Sequence, residues 1–98
     1  MRSMKIKELV EILDEAIASL KIAIVANQQR AMETPYTSLE FTQRAIELQE
    51  DLDDLLKARE FLLSLDPETD AEEHFSREEL ERFLKLLELL RNSEAHFY

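Results

Sequence analysis

Two pairs of carboxylates at helical spacing are the residues of this sequence best suited to chemistry. Glu8 and Glu11 lie three positions apart, and Glu50 and Asp53 repeat that spacing. Residues three apart lie on the same side of a helix, so each pair could offer its oxygens to one divalent cation. The placement of the helices that carry these pairs determines whether the four carboxylates lie close together.

The two pairs resemble the magnesium-binding signature of the MazG-type nucleotide pyrophosphohydrolases, an all-helical family of similar size. The resemblance implies that acids on adjacent helices hold Mg²⁺ for the cleavage of a nucleoside triphosphate. The apolar residues around the pairs argue against a shared metal site. If Ile6, Leu13 and Leu52 face the core, both pairs face solvent and do not converge. We therefore predict a protein that is not an enzyme and that binds no metal or cofactor.

Other catalytic or metal-binding patterns are incomplete. Cysteine is absent, and the two histidines lie in a connector and near the end of the chain. Asp66, Glu68 and Asp70 occupy the first, third and fifth positions of a calcium-binding loop. Ala71 stands where that loop needs glycine, and Arg77 stands where it needs a bidentate glutamate. We interpret this segment as an acidic connector.

The residues that shape the backbone indicate long helices. Glycine is absent, and proline occurs only at Pro35 and Pro67. A β-rich chain would need several turns with positive φ, which glycine adopts at the least steric cost. With 45% hydrophobic and 35% charged residues, the 98-residue chain has the composition of a single globular domain.

Apolar residues recur at helical spacing in three segments. The first two segments have similar lengths and a short connection, which favours an antiparallel helical hairpin with the shorter third helix packed along it. We therefore predict an all-α fold, a three-helix bundle formed by one domain over residues 1–98. The predicted helices are residues 4–31, 38–65 and 77–93.

The starts of the second and third helices carry the same sequence signature. Thr37 with Glu40, and Ser76 with Glu79, have the form of a capping box, in which each side chain bonds the other residue's amide. An apolar residue precedes each box, Tyr36 in the first case, and can pack against the first turn. We expect both boxes to form.

The apolar seam of the second helix contains one charged residue. The seam alternates steps of four and three residues, as in a coiled coil, and Arg59 occupies one of its positions. The favoured interpretation is that the aliphatic stem of Arg59 lies along the seam while its guanidinium reaches water. A buried pair with a carboxylate is the alternative.

The middle of the first helix is apolar on more than one side. Between Ala16 and Ala26 the only charged residue is Lys21. One neighbouring helix cannot cover such a surface, so we expect a second copy of the chain to complete the fold as a two-fold symmetric dimer. The residues predicted to mediate self-association are Ile17, Ile22, Val25 and Ala26.

Negative charge is concentrated in the last two thirds of the chain. Residues 1–32 have a net charge of +1, residues 33–66 of −6 and residues 67–98 of −5, within a total of −10. Such a surface repels phosphates and anionic lipids, so we expect no direct binding of nucleic acid or membranes. A basic surface of another protein would be its complement. The predicted partner-binding residues are Glu47, Glu50, Asp51, Asp53, Asp54, Asp70, Glu72 and Glu73.

These features favour a small acidic, non-enzymatic protein–protein interaction module, an adaptor or regulator that acts as a homodimer. The alternative is an inhibitor whose carboxylates imitate a phosphate backbone and occupy a DNA- or RNA-binding protein, as phage anti-restriction and anti-CRISPR proteins do. The two functions differ in salt dependence, because contacts that replace phosphates weaken steeply with salt and apolar burial does not.

The sequence favours a cytoplasmic location. The longest uncharged run, Ile22–Gln29, is far shorter than the roughly 20 residues of a membrane-spanning helix. No segment has the form of a signal peptide, and the absence of cysteine fits a reducing compartment.

Overall fold

The computed structural model describes residues 4–92, and within them it contains three α-helices and no strand. The predicted all-α fold is therefore confirmed. The first helix starts and ends two residues later than predicted and the second ends two residues earlier, while the predicted end of the third, Ser93, lies outside the described residues. The helices are α1 (Ile6–Glu33), α2 (Ser38–Leu63) and α3 (Arg77–Arg91).

One face of α1 supplies half of the buried apolar residues of the core. Leu13, Leu20 and Ala23 are completely buried on this face, and α1 packs against both α2 and α3. By contrast, α2 and α3 hardly approach each other. The fold is thus a bundle in which two helices lie side by side on a third.

Three contacts fix the direction of the helices. The guanidinium of Arg30 lies 5.9 Å from the ring centre of Phe41 near the α1–α2 turn, and Arg59 pairs with Asp14 farther along, so α2 is antiparallel to α1. Arg91 at the end of α3 pairs with Glu15 in the first half of α1 at 3.2 Å. Helix α3 therefore runs parallel to α1 and packs along its first half.

The connector between α2 and α3 caps the start of α1. Lys5 precedes that helix and offers no side-chain cap. The amide of Ile6 instead donates to the carbonyl of Thr69 at 2.9 Å, and the amide of Lys7 donates to the carbonyl of Pro67 at 3.1 Å. These bonds satisfy amides that have no partner within the helix, and they fix the connector against α1.

Only one of the two predicted capping boxes forms. The Glu79 amide donates to Ser76 Oγ at 3.1 Å, and the Ser76 amide donates to Glu79 Oε1 at 3.1 Å, as predicted. The prediction for Thr37 was wrong. Thr37 has φ −119° and ψ 10° because its amide closes a turn onto the carbonyl of Thr34 at 3.1 Å, and it lacks the extended backbone of a capping residue. The preceding Tyr36 is fully exposed and packs on nothing in the helix.

Candidate functional site

Three of the predicted partner-binding carboxylates share one side of α2. Glu47, Asp51 and Asp54 follow one another at steps of four and three residues, and we call them the acidic stripe. Partial burial raises the pKa of Asp51, and the negative charges of Asp54 and then Glu47 raise it further. The stripe is therefore a site where negative charges repel one another.

The other two predicted partner-binding acids of α2 face a different direction. Glu50 and Asp53 are exposed and lie about 100° around the helix from the acidic stripe. Asp53 Oδ1 accepts a hydrogen bond from Gln49 Nε2 at 3.1 Å. The two residues form an outer face that points away from the core and from the acidic stripe.

The predicted acids of the connector lie at the opposite end of the bundle. Asp70 forms an isolated antiparallel bridge with Lys5, and Glu72 and Glu73 belong to the short 3-10 turn that follows. The Asp14–Arg59 pair places Lys5 level with the end of α2, roughly 20 Å from the acidic stripe at 1.5 Å per residue. The eight predicted residues therefore occupy three separate surfaces.

The residues predicted for self-association also divide. Ile17, which was predicted to mediate self-association, is only 6% exposed and belongs to the core, so its side chain is not available to a second copy in this fold. Leu13, Ile17 and Leu20 follow one another at helical spacing, so the helical repeat that buries Leu13 and Leu20 also buries Ile17. Ala26 is partly buried, whereas Ile22 and Val25 are 49% and 55% exposed.

Ile22 and Val25 belong to a longer exposed stripe. It advances by steps of four and three residues, as a helix-pairing seam does, and none of its members is charged. All of its members are exposed, and it lies on the side of α1 opposite the core. We call it the α1 stripe; it consists of Ala18, Ile22, Val25, Gln29 and Met32.

A cavity of about 220 Å³ lies where the three helices meet. Phe61 of α2 and Phe75 of the connector meet edge to face there, with ring centres 6.1 Å apart, and Phe61 is 54% exposed. The wall is almost entirely apolar, and we call the space the aromatic cavity. It is lined by Leu9, Ala58, Phe61, Leu62, Phe75, Glu79, Leu80 and Phe83.

The four carboxylates that resemble the magnesium signature do not fit a common metal site. The Asp14–Arg59 pair sets the register of α1 against α2, and in that register Glu11 lies at least about 14 Å along the bundle from the level of Glu50 and Asp53. Glu50 and Asp53 also point outward from α2. Within residues 4–92, no group of three or more histidine, aspartate or glutamate side chains could hold a metal ion.

The connector carboxylates that resembled a calcium loop have other partners. Glu68 bonds the ammonium groups of Lys7 at 3.0 Å and Lys5 at 3.2 Å, which lowers the pKa of Glu68. Asp66 Oδ1 accepts the amide of Glu68 at 3.0 Å. Glu68 therefore fastens the connector to the start of α1, and Asp66 stabilises a turn within the connector.

No protein-family model matches the sequence, and neither a curated protein nor a solved structure is significantly similar to it. None of the helices in residues 4–92 is long and apolar enough to cross a membrane. The surfaces of the described residues that bear on function are the α1 stripe, the acidic stripe and the aromatic cavity.

Sequence reasoning missed the aromatic cavity, although a signal for it was present. From Glu47, steps of four and three residues lead through the acidic stripe to Ala58 and Phe61. Helix α2 thus carries a second seam beside the one that packs on α1, acidic in its first half and apolar in its second. A second seam indicates a second neighbour along the helix.

Proposed function

We propose that this protein is a non-catalytic interaction module that acts as a homodimer. The observation that carries the proposal is the α1 stripe, an uncharged and largely apolar seam on the outer side of a long helix. Ile22, Val25 and Met32 are 49%, 55% and 86% exposed along it. Pairing this seam with another helix would remove three large apolar side chains from water.

The distribution of charge favours a second copy as the partner of the α1 stripe. In a two-fold symmetric dimer the same patch of both subunits meets, so the patch must tolerate its own charge. Residues 1–32 have a net charge of only +1, whereas the rest of the chain is strongly negative. Pairing through α1 keeps the acidic α2 helices and the acidic connectors of the two copies apart. Each copy then presents its acidic stripe to another protein.

Sedimentation equilibrium tests the dimer at concentrations of about 1–100 μM. The wild-type chain is expected to approach twice the 11.5 kDa mass of one chain. Val25→Glu puts a charge into the α1 stripe and is expected to give a folded monomer. Leu89→Glu makes the same change at a 67% exposed position of α3 and is expected to leave the dimer intact.

Circular dichroism of each variant checks that the helices persist. A wild-type mass of one chain throughout this range would overturn the homodimer. Equal dissociation of the Val25→Glu and Leu89→Glu variants would overturn the assignment of the interface to α1.

The arrangement of the acids favours a compact protein-binding surface over imitation of nucleic acid. A phosphate backbone is a continuous row of charges. The eight predicted partner-binding acids instead form three separate surfaces, and the three carboxylates of the acidic stripe adjoin the apolar residues Ala58 and Phe61 on the same side of α2. A short acidic stripe beside an apolar cavity suits a partner that is basic and apolar at once.

A further inference from the structure

The second seam of α2 forms one wall of an open cleft. Helices α2 and α3 both rest on α1 but hardly approach each other, so the space between them is floored by α1. Ala58 and Phe61 lie on this wall. Asp51 and Asp54 precede them on the same side of α2, at steps of three, four and three residues, where α2 continues past the end of α3. Ala58 and Phe61 also line the aromatic cavity.

Helix α3 supplies the opposite wall. Glu79, Phe83, Leu86 and Leu90 follow one another at steps of four, three and four residues, and the first two line the aromatic cavity. Leu86 is 45% exposed, and Leu90 packs partly against the core. Because α3 is antiparallel to α2, the apolar residues of this wall continue from the cavity toward the acidic stripe.

We infer that the cleft between α2 and α3 docks a cationic amphipathic helix of a partner protein. One large apolar side chain of that helix enters the aromatic cavity, and its lysines or arginines meet the acidic stripe. This inference rests on the proposed function only in treating the chain as an interaction module, and it does not require the dimer.

The size of the aromatic cavity suits one apolar side chain. A dry apolar cavity of about 150 Å³ is large enough to bind benzene, and this one measures about 220 Å³. Phe61 remains 54% exposed at its edge, so the cavity is open to a group entering from the cleft. A phenylalanine or leucine side chain fills such a space and displaces its water.

The charges beside the cavity select a cationic helix. Asp51 sits between two other carboxylates, and a lysine or arginine beside it relieves their repulsion. The acidic stripe lies about seven residues from the cavity residues of α2, or roughly 10 Å. The docked helix therefore carries its cations about two turns from its apolar anchor. A second copy of this chain is a poor occupant, because none of its three helices carries a net positive charge.

Fluorescence anisotropy with a labelled helical peptide tests this inference. The probe is about 15 residues of leucine and lysine with one phenylalanine, arranged as an amphipathic helix of the length of α3. A second peptide replaces every lysine with glutamate and keeps the apolar positions. The basic peptide is expected to bind with a dissociation constant in the micromolar range, and the acidic peptide is expected not to bind. No binding of the basic peptide up to about 100 μM would overturn the inference.

Two matched triple variants separate docking from attraction to net charge. Glu47→Gln with Asp51→Asn and Asp54→Asn removes the acidic stripe. Glu50→Gln with Asp53→Asn and Glu60→Gln removes three charges from the outer side of α2. The first variant is expected to weaken binding at least about tenfold and the second less than about twofold. Equal weakening by both variants would show nonspecific attraction and overturn the inference.

Phe61→Ala and Ala58→Phe test the aromatic cavity itself. The first removes an exposed wall and the second fills the space, and each is expected to weaken binding of the basic peptide about tenfold. If Ala58→Phe unfolds the chain, Phe61→Ala alone tests the cavity. That variant is expected to fold, because the side chain of Phe61 is 54% exposed. Wild-type affinity in folded Phe61→Ala overturns the cavity as anchor site. Sedimentation equilibrium of the same samples shows whether the chain dimerises, so a failure of the proposed dimer is distinguished from a failure of peptide docking.

Discussion

Arg59 Nε donates a hydrogen bond to Asp14 Oδ1 at 2.6 Å and so ties the last turns of α2 to the first half of α1. The two side chains are 39% and 46% exposed. This pair lies between the two sequence-based alternatives, since the guanidinium is neither free in water nor deeply buried. The bond to Asp14 raises the pKa of Arg59, which stays charged at any physiological pH.

The two capping-box sequences are expected to differ in energy although their sequence signatures match. Ser76→Ala removes a formed cap and is expected to lower the free energy of unfolding by about 1 kcal/mol. Thr37→Ala removes a side chain that caps nothing and is expected to change that free energy by less than about 0.5 kcal/mol. Urea denaturation of both variants measures the difference, and equal losses would contradict the geometry of the α1–α2 turn.

Removing one charge from the acidic stripe is expected to stabilise the fold. Asp51→Asn relieves repulsion from Glu47 and Asp54, and like charges at helical spacing cost about 0.2–0.5 kcal/mol per pair. The variant is therefore expected to gain about 0.5–1 kcal/mol at pH 7. Asp53→Asn makes the same change in charge but weakens the charge-assisted hydrogen bond from Gln49, and it is expected to give no gain.

The gain from Asp51→Asn is expected to depend on pH. The pKa of Asp51 is raised in the folded state above its ordinary 3.8, so the folded chain holds this proton more tightly than the unfolded chain does. Stability associated with Asp51 is therefore lost as pH rises from about 3.8 through the raised folded pKa. Urea denaturation between pH 3 and 7 should show the advantage of Asp51→Asn growing across that window. A constant advantage at all pH values would contradict this origin.

The contact of Glu68 with Lys5 and Lys7 is expected to weaken in acid. The pKa of Glu68 is lowered below its ordinary 4.5 in the folded state by these two lysines. Its contribution is thus fully present above about pH 4.5 and is lost as pH falls through the lowered folded pKa. Glu68→Gln is expected to reduce the melting temperature at pH 7 and to match the wild type at the lowest pH. Glu72→Gln, at an exposed position of the same connector, serves as the control.

Replacing the buried Asn27 is expected to stabilise the monomer. Asn27 is completely buried, its Nδ2 donates to the carbonyl of Ala23 at 2.7 Å, and no atom of residues 4–92 donates to its Oδ1. Burial of an unsatisfied acceptor costs about 1–3 kcal/mol, so Asn27→Leu is expected to raise the free energy of unfolding by about 1 kcal/mol or more. Gln28→Leu, one position along on the exposed surface, is expected to give no such gain. A loss of stability in Asn27→Leu would show that the amide oxygen is satisfied in solution.

The sequence by itself determined the helices, because their signals are local. Apolar spacing and the absence of glycine predicted three helices. The capping box of Ser76 and Glu79 formed as predicted, because Ser76 has the extended backbone that a capping residue needs. The same local pattern was insufficient at Thr37. There, the turn through Thr34 and Pro35 imposed a different backbone angle, and only the folded chain reveals it.

Only the tertiary structure decided which surfaces remain available. Sequence periodicity marks which residues share a side of a helix, but not which sides find a neighbour within the chain. Packing of α1 buried Ile17 while leaving Val25 exposed, and packing of α3 on α1 left the Phe61 side of α2 open. Likewise, the acids that looked continuous along the sequence separated onto three surfaces, because the direction of each side chain depends on how the helices are placed.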